Sequence, residues 1–225
     1  MTAWSEVRDK IVAMLGTRAN RIETPDILTW WNQAQRNFAI RHTALESIQS
    51  YDGDDSAREF DLPPNFIKEY GIYDDDNSMF LEPGSFKPGI AWDEEVEDNT
   101  TRRYGYILWP AGKVTLFRTP ETGTGNIKLY YWAFYPDLVD DTDTIATPAW
   151  AEEALIFYTL ALSLVPAFQA TADVRQWNER VDSGRPTDNP LLQSFNALVK
   201  QYHETLSLWP KQVRDHYYYS GGRSV

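Results

Sequence analysis

The stretch Thr147–Phe168, TPAWAEEALIFYTLALSLVPAF, constrains this chain more than any other. Thr147 reads as an N-cap, with Pro148 at the first helical position, where a missing N–H costs nothing. Glu152 and Glu153 follow near the first turn, the end of a helix that favours negative charge. From Ala154 to Phe168 there is no charged residue, and only Tyr158, Thr159 and Ser163 carry hydroxyls. A helix this apolar has no polar face to show water, so it must be surrounded. Spanning a bilayer takes roughly 20 apolar residues, and this run is shorter and carries Pro166. Protein is the expected surrounding: either the centre of a helical bundle or a wall pressed against neighbouring subunits.

Two helices are expected ahead of it. Over residues 3–16, Trp4, Val7, Ile11 and Leu15 fall on one stripe, and Gly16 can take the left-handed stop. Thr24-Pro25-Asp26 repeats the cap, proline and acid of the central helix, and Ile27, Trp30, Trp31, Ala34 and Phe38 mark a buried face that should end near Arg41. Two adjacent tryptophans cannot both lie on the centre line of one stripe, so one is expected to face another layer or another subunit.

From about Thr43 to Ala146 helical periodicity gives way to short β-prone runs punctuated by Gly, Pro, Asp and Asn. Strands are predicted at Leu45–Tyr51, Arg58–Leu62, Phe66–Tyr73, Met79–Leu81, Tyr104–Trp109, Lys113–Arg118 and Asn126–Tyr135. Pro110-Ala111-Gly112 reads as a hairpin turn, and Glu121–Gly125 as a looser one. The near-continuous apolar run Lys128–Tyr135 predicts a strand covered on both faces. The acidic, turn-rich passage from Pro83 to Arg103 reads as a long exposed loop. Beyond the central helix, Val174, Trp177 and Val181 suggest a short helix over Ala172–Val181, and Asp182–Asp188 a break. Asn189 and Pro190 then open a last helix striped by Leu191, Phe195, Leu198, Tyr202, Leu206 and Trp209, stopped by Pro210. About twenty helical residues span roughly 30 Å, enough to lie along the central helix. The fold expected is α+β: a helical bundle from 1–42 and 147–209, an inserted antiparallel β-rich module over 43–146, and an extended tail at 210–225.

Chemistry is hard to find. The chain has no cysteine, which excludes disulfides and thiolate metal sites. The histidines, His42, His203 and His216, are scattered without metal-ligand spacing, and read as surface or tail residues. Asp74-Asp75-Asp76 and Asp52-Gly53-Asp54-Asp55 lack the spaced ligands and terminal Glu of a calcium loop, and read as solvated turns. Glu152 and Glu153 are adjacent, so they point apart on a helix and make no acid–base pair. Gly123-Thr124-Gly125 lacks the Lys-Ser/Thr pair and following helix of a phosphate loop. No catalytic residue, cofactor or metal is expected. Nine Trp and thirteen Tyr suit large contact areas, at interfaces or in a filled core. The formal charge of −12 argues against a surface that grips phosphate, though not against nucleic acid passing nearby. The N-terminus, MTAWSEVRDK, lacks the apolar core of a signal peptide, so a soluble protein first residing in a cytoplasm is expected, with no membrane partner.

Phe60-Asp61-Leu62-Pro63-Pro64-Asn65-Phe66, followed by the strand Ile67–Tyr73, resembles a step common in head-to-tail adaptor proteins of tailed bacteriophages. Tyr135-Pro136-Asp137-Leu138 with Asp140–Asp143, Thr147-Pro148-Ala149-Trp150 opening an apolar helix, and Asp182–Asn189 ahead of a final amphipathic helix are similar to the same family. The resemblance covers most of the chain, although 75–125 holds no matching motif. It implies a virion protein at the head–tail junction: a ring, usually of about twelve subunits, seated under the portal and joining it to tail tube, hub or nozzle proteins, with DNA passing through unbound. The helices would build the ring, with Phe157, Leu164, Trp30 and Trp150 at subunit interfaces. The C-terminal tail would dock into the portal through Tyr217, Tyr218, Tyr219, Arg223 and Val225. The alternative is a carbohydrate- or ligand-binding module that stacks its target on Trp109, Trp132 and the aromatic strand.

Overall fold

The computed structural model describes residues 2–54, 57–84, 105–117, 119–171 and 190–212. The predicted loop over 85–103, the helix at 172–181, the break at 182–188, the cap at Asn189, His216 and the tail from Val213 all lie outside the described residues. The chain divides into two compact units, one made of Met1–Ala44 with Phe134–Gln212, the other holding Leu45–Ala133. The class is α+β.

In the helical unit, α1 (Trp4–Leu15) buries Trp4, Val7, Ile11 and Leu15. Gly16, at φ 57°, ends it in the left-handed region that favours glycine. A 3-10 stretch, Gly16–Arg21, leads to α2 (Thr24–Arg41), which buries Ile27, Trp31, Ala34, Gln35, Phe38 and Ala39. The cap position is taken by Glu23 with no side-chain bond, so Thr24 is the first helical residue rather than the expected cap. The apolar helix α3 (Glu152–Thr171) packs against α1, α2 and α4 (Pro190–Ser207). By length and composition alone Ala149–Pro166 could cross a membrane. Yet Ala154, Leu155, Leu160, Ala161 and Leu164 are buried inside the unit. Its buried hydroxyls bond back to their own helix, Thr159 Oγ1 to Leu155 O at 2.8 Å and Ser163 Oγ to Leu160 O at 2.7 Å. That removes the cost of burying them.

The start of α3 corrects the expected cap. Pro148 has ψ 137°, an extended conformation, and Ala149–Ala151 form a 3-10 turn before the α-helix begins at Glu152. The Thr147 hydroxyl is buried without a partner instead of capping. Pro166 lies inside α3 rather than near its end, and the helix runs on through it to Thr171.

Among the described residues the second unit holds two four-stranded sheets. One has the order β1 (Leu45–Gly53), β8 (Gly123–Ala133), β3 (Phe66–Asp74), β4 (Met79–Phe80), antiparallel throughout. The other runs β2 (Glu59–Asp61), β7 (Lys113–Leu116), β6 (Gly105–Trp109), β5 (Glu82–Pro83), the last pair being parallel. Ile72, Tyr106, Val114, Leu116, Ile127, Leu129, Tyr131 and Ala133 share one core. Gly112, at φ 80°, makes the β6–β7 hairpin turn and donates its N–H to Trp109 O at 3.1 Å. In β8 the expectation of cover on both faces is corrected to alternation: Ile127, Leu129, Tyr131 and Ala133 face the core, while Lys128 and Tyr130 are half-buried on the other side. Trp132 is the exception, buried on that outer face against Tyr70, with Lys68 Nζ 5.9 Å from its ring. Gly123–Gly125, expected as a turn, already belongs to β8, and Phe134 and Tyr135 lie beyond its end.

Candidate assembly surfaces

The segment leading back towards α3 is heavily tied to the helices around it. Asn32 of α2 donates from Nδ2 to Leu138 O at 2.9 Å and accepts the Leu138 N–H at 3.0 Å. Its amide therefore pairs with the backbone as a neighbouring strand would. The Asp143 carboxylate accepts the N–H groups of Val139 and Asp140 at 2.6 and 3.0 Å. Asp140 accepts from the N–H and hydroxyl of Thr142 at 2.8 and 2.6 Å. Those Thr142 bonds hold the Asp140 carboxyl below its ordinary value, the hydroxyl contributing most. Arg36 forks onto Asp137, and Arg8 pairs with Asp141. Further along, Trp4 N–H donates to Asp143 O at 3.0 Å and Ile145 N–H to Thr2 O at 3.1 Å. Lys10 reaches Glu152 at 2.5 Å, a pairing that raises the lysine pKa. At the tip of the turn Val139 stands 78% exposed.

A cleft of about 530 Å³ opens beside α2, walled by Ile22, Trp30 and Pro166 and rimmed by Thr17, Arg18 and Asp26. Trp31 is fully buried and Trp30 only partly so, which resolves the adjacent pair as one core ring and one cleft ring.

A third feature gathers where α2 ends. His42 is buried, correcting its reading as a surface histidine. Its Nδ1 lies 2.8 Å from Thr43 Oγ1 and its Nε2 3.2 Å from Leu206 O. The ring stacks on Phe38 at 5.5 Å and meets Trp150 at 5.4 Å, and Trp150 stacks on Trp209 at 5.1 Å. Gln212 closes the group, its N–H bonding His42 O at 3.3 Å and its Oε1 accepting Ala44 N–H at 2.9 Å. Trp209 and Leu208 stay 43% and 79% exposed. Nearby Tyr202 packs on Tyr158 and donates to Asn37 Oδ1 at 3.1 Å; burial raises its phenol pKa.

Of the residues singled out as subunit contacts, Phe157, Trp30 and Trp150 are each partly exposed. Leu164 is 2% exposed, so it does not face outward as expected; it is core. The portal-facing residues Tyr217, Tyr218, Tyr219, Arg223 and Val225 lie outside the described residues. Exposed His203 sits beside Tyr202. The acidic turns have local structural work. Asp74 is buried and accepts the N–H groups of Asp76 and Asn77 and the Asn77 side chain, at 3.0, 3.2 and 2.8 Å. Asp75 pairs with Lys128, raising the lysine pKa. Asp52 accepts Gly125 N–H at 2.8 Å. Among the described residues no group of His, Asp or Glu could hold a metal ion. Of the two rings expected to stack a sugar, Trp132 is covered, at 2% exposed, while Trp109 is partly exposed and donates its indole N–H to Thr115 at 2.8 Å.

The Asn32 clamp and the His42–Trp150–Trp209 stack escaped sequence reasoning. A polar pair, Asn32 and Gln35, beside the apolar stripe of α2 was the available signal for the first.

The geometry is that of contact surfaces. Residues 2–187 match the family model described as SU10 adaptor protein. No curated protein matches the chain.

Proposed function

Since the chain belongs to the SU10 adaptor protein family, a family of phage structural adaptors, we propose that it is the adaptor at the head–tail junction. In this reading several copies, about twelve, form a ring under the portal, join it to the tail, and continue the channel through which DNA passes. The role is structural rather than catalytic. The match over 2–187 carries this reading. Three further observations support it. The segments that carry the resemblance, Tyr135–Leu138 with Asp140–Asp143 and Thr147–Trp150, brace α1 and α2. Partly exposed Phe157, Trp30 and Trp150 offer lateral contacts. A formal charge of −12 suits a channel wall, because like charge leaves DNA no well to stick in.

The C-terminal residues Tyr217, Tyr218, Tyr219, Arg223 and Val225 would dock into the portal, ordering on the partner at the cost of chain entropy. The root of that tail is fixed on the helical unit through Trp209 and Gln212. Deleting 217–225 tests the reading. The shortened protein should keep its circular-dichroism spectrum and melting temperature but fail to co-sediment with portal-bearing heads. Normal attachment of the shortened protein would refute portal docking by the tail.

A further inference from the structure

An apolar side chain in water contributes little to the fold that displays it, yet Val139 is 78% exposed at the tip of an unusually fixed turn. The turn is held by the Asn32 amide, by the Asp143 and Asp140 carboxylates, and by Arg36 and Arg8 from two helices. A valine so fixed loses little freedom on docking, the condition under which a small apolar contact contributes most to association.

Helical geometry places the cleft on the other flank of the same unit. Trp30 and Asn32 are two residues apart, hence about 200° apart around the α2 axis. Asp26, one turn before Trp30, shares its side and lines the cleft. Arg36, one turn after Asn32, shares that side and pairs with Asp137. The buried Trp31, Ala34 and Phe38 lie between the two directions. The Val139 turn and the Trp30 cleft therefore open on opposite flanks and cannot meet within one chain. Opposite, complementary patches are what a head-to-tail contact between identical copies requires, and such contacts form a ring when the rotation from copy to copy closes. Charge agrees: Asp140 beside the valine and Arg18 on the cleft rim each make no ion pair among the described residues.

We infer that the Val139 turn of one copy seats in the Trp30 cleft of the next, with Asp140 against Arg18. The inference rests on the ring reading and names its lateral contact. The absence of native cysteine makes a clean test. Full-length Val139→Cys and Thr17→Cys proteins, one carrying a mass tag, are mixed and joined with a short bis-maleimide, both free at high concentration and after loading onto portal-bearing heads. A mixed-mass product well above the self-linked products of either variant alone is the expected result. Val139→Asp should also weaken self-association at least tenfold with an unchanged melting temperature. Arg18→Asp should weaken it as well, and adding Asp140→Arg in the same chain should recover part of the loss. If rings form but no mixed product exceeds background, this contact is overturned and the ring reading stands. If no oligomer forms free or on heads, the ring reading fails and takes this inference with it.

Discussion

Replacing Asn32 with Ala removes a side chain that forms two hydrogen bonds with one backbone unit, at 2.9 and 3.0 Å to Leu138. Leu138 is 5% exposed, so its N–H and C=O are not simply handed to water. A made hydrogen bond contributes about 1 kcal/mol net, and a buried group left without a partner costs about 1–3 kcal/mol. Partial opening of the turn relieves some of that penalty. The expected loss is about 3 kcal/mol, or roughly 6–12 °C in melting temperature at about 2–4 °C per kcal/mol for a domain of this size. Asn32→Asp discriminates further. It keeps an acceptor for the Leu138 N–H but sets a carboxylate oxygen against the Leu138 carbonyl, so it should rescue little. The assay is thermal unfolding followed by far-ultraviolet circular dichroism, with amide hydrogen exchange at Leu138 and Val139 as the local readout. If Asn32→Ala melted within about 1 °C of the wild type with unchanged exchange, the clamp would not hold the turn.

Acid should loosen the same turn from its other side. The Asp140 pKa is lowered on folding, so its contribution is complete above the ordinary carboxyl value of 3.8 and is lost as pH falls through the lowered folded value; the Thr142 amide shift in an NMR titration should move over that range and stay flat above pH 5. Leu164→Asp should unfold the helical unit, since it buries a charge in the core, whereas Phe157→Asp should leave the melting temperature nearly unchanged and reduce self-association; size-exclusion chromatography with circular dichroism separates the two outcomes. Trp150→Ala removes a ring that touches Phe38, His42 and Trp209, and should cost about 3 kcal/mol, the low end for a buried tryptophan because Trp150 is only partly covered.

The strands were legible wherever local chemistry decided them. Pro110-Ala111-Gly112 announced the β6–β7 hairpin, and the runs at Leu45, Phe66 and Lys113 began strands at those residues. The Glu82–Pro83 strand was not legible, because a two-residue parallel pairing has no period and contains a proline. The alternating burial of β8 was hidden by its outer face, where Tyr130 and Trp132 continue the aromatic run. Thr24-Pro25 and Thr147-Pro148 look alike in sequence, yet only the first proline lies in an α-helix, because Trp150 follows the second into a stack with distant rings. His42 was misplaced for the same reason: its Nε2 partner is the carbonyl of Leu206, far along the chain. Local pattern shows which residues want cover, and tertiary packing chooses what covers them.

The rung at which Leu45 faces Ala133 in the β1–β8 ladder has a consequence for the order of folding. These residues are the entrance and exit of the β unit, and neighbouring strands stand about 5 Å apart. Before that rung forms, α2 and α3 are separated by everything from 45 to 133, and bringing them together carries the closure entropy of a long loop. Once it forms, the separation behaves like a tight turn of a few residues. Closure entropy grows as (3/2)RT ln n, so the change is worth roughly 3 kcal/mol to helix docking. The inserted sheet thereby acts as an intramolecular splint, and the helical unit should assemble fastest after its guest has folded.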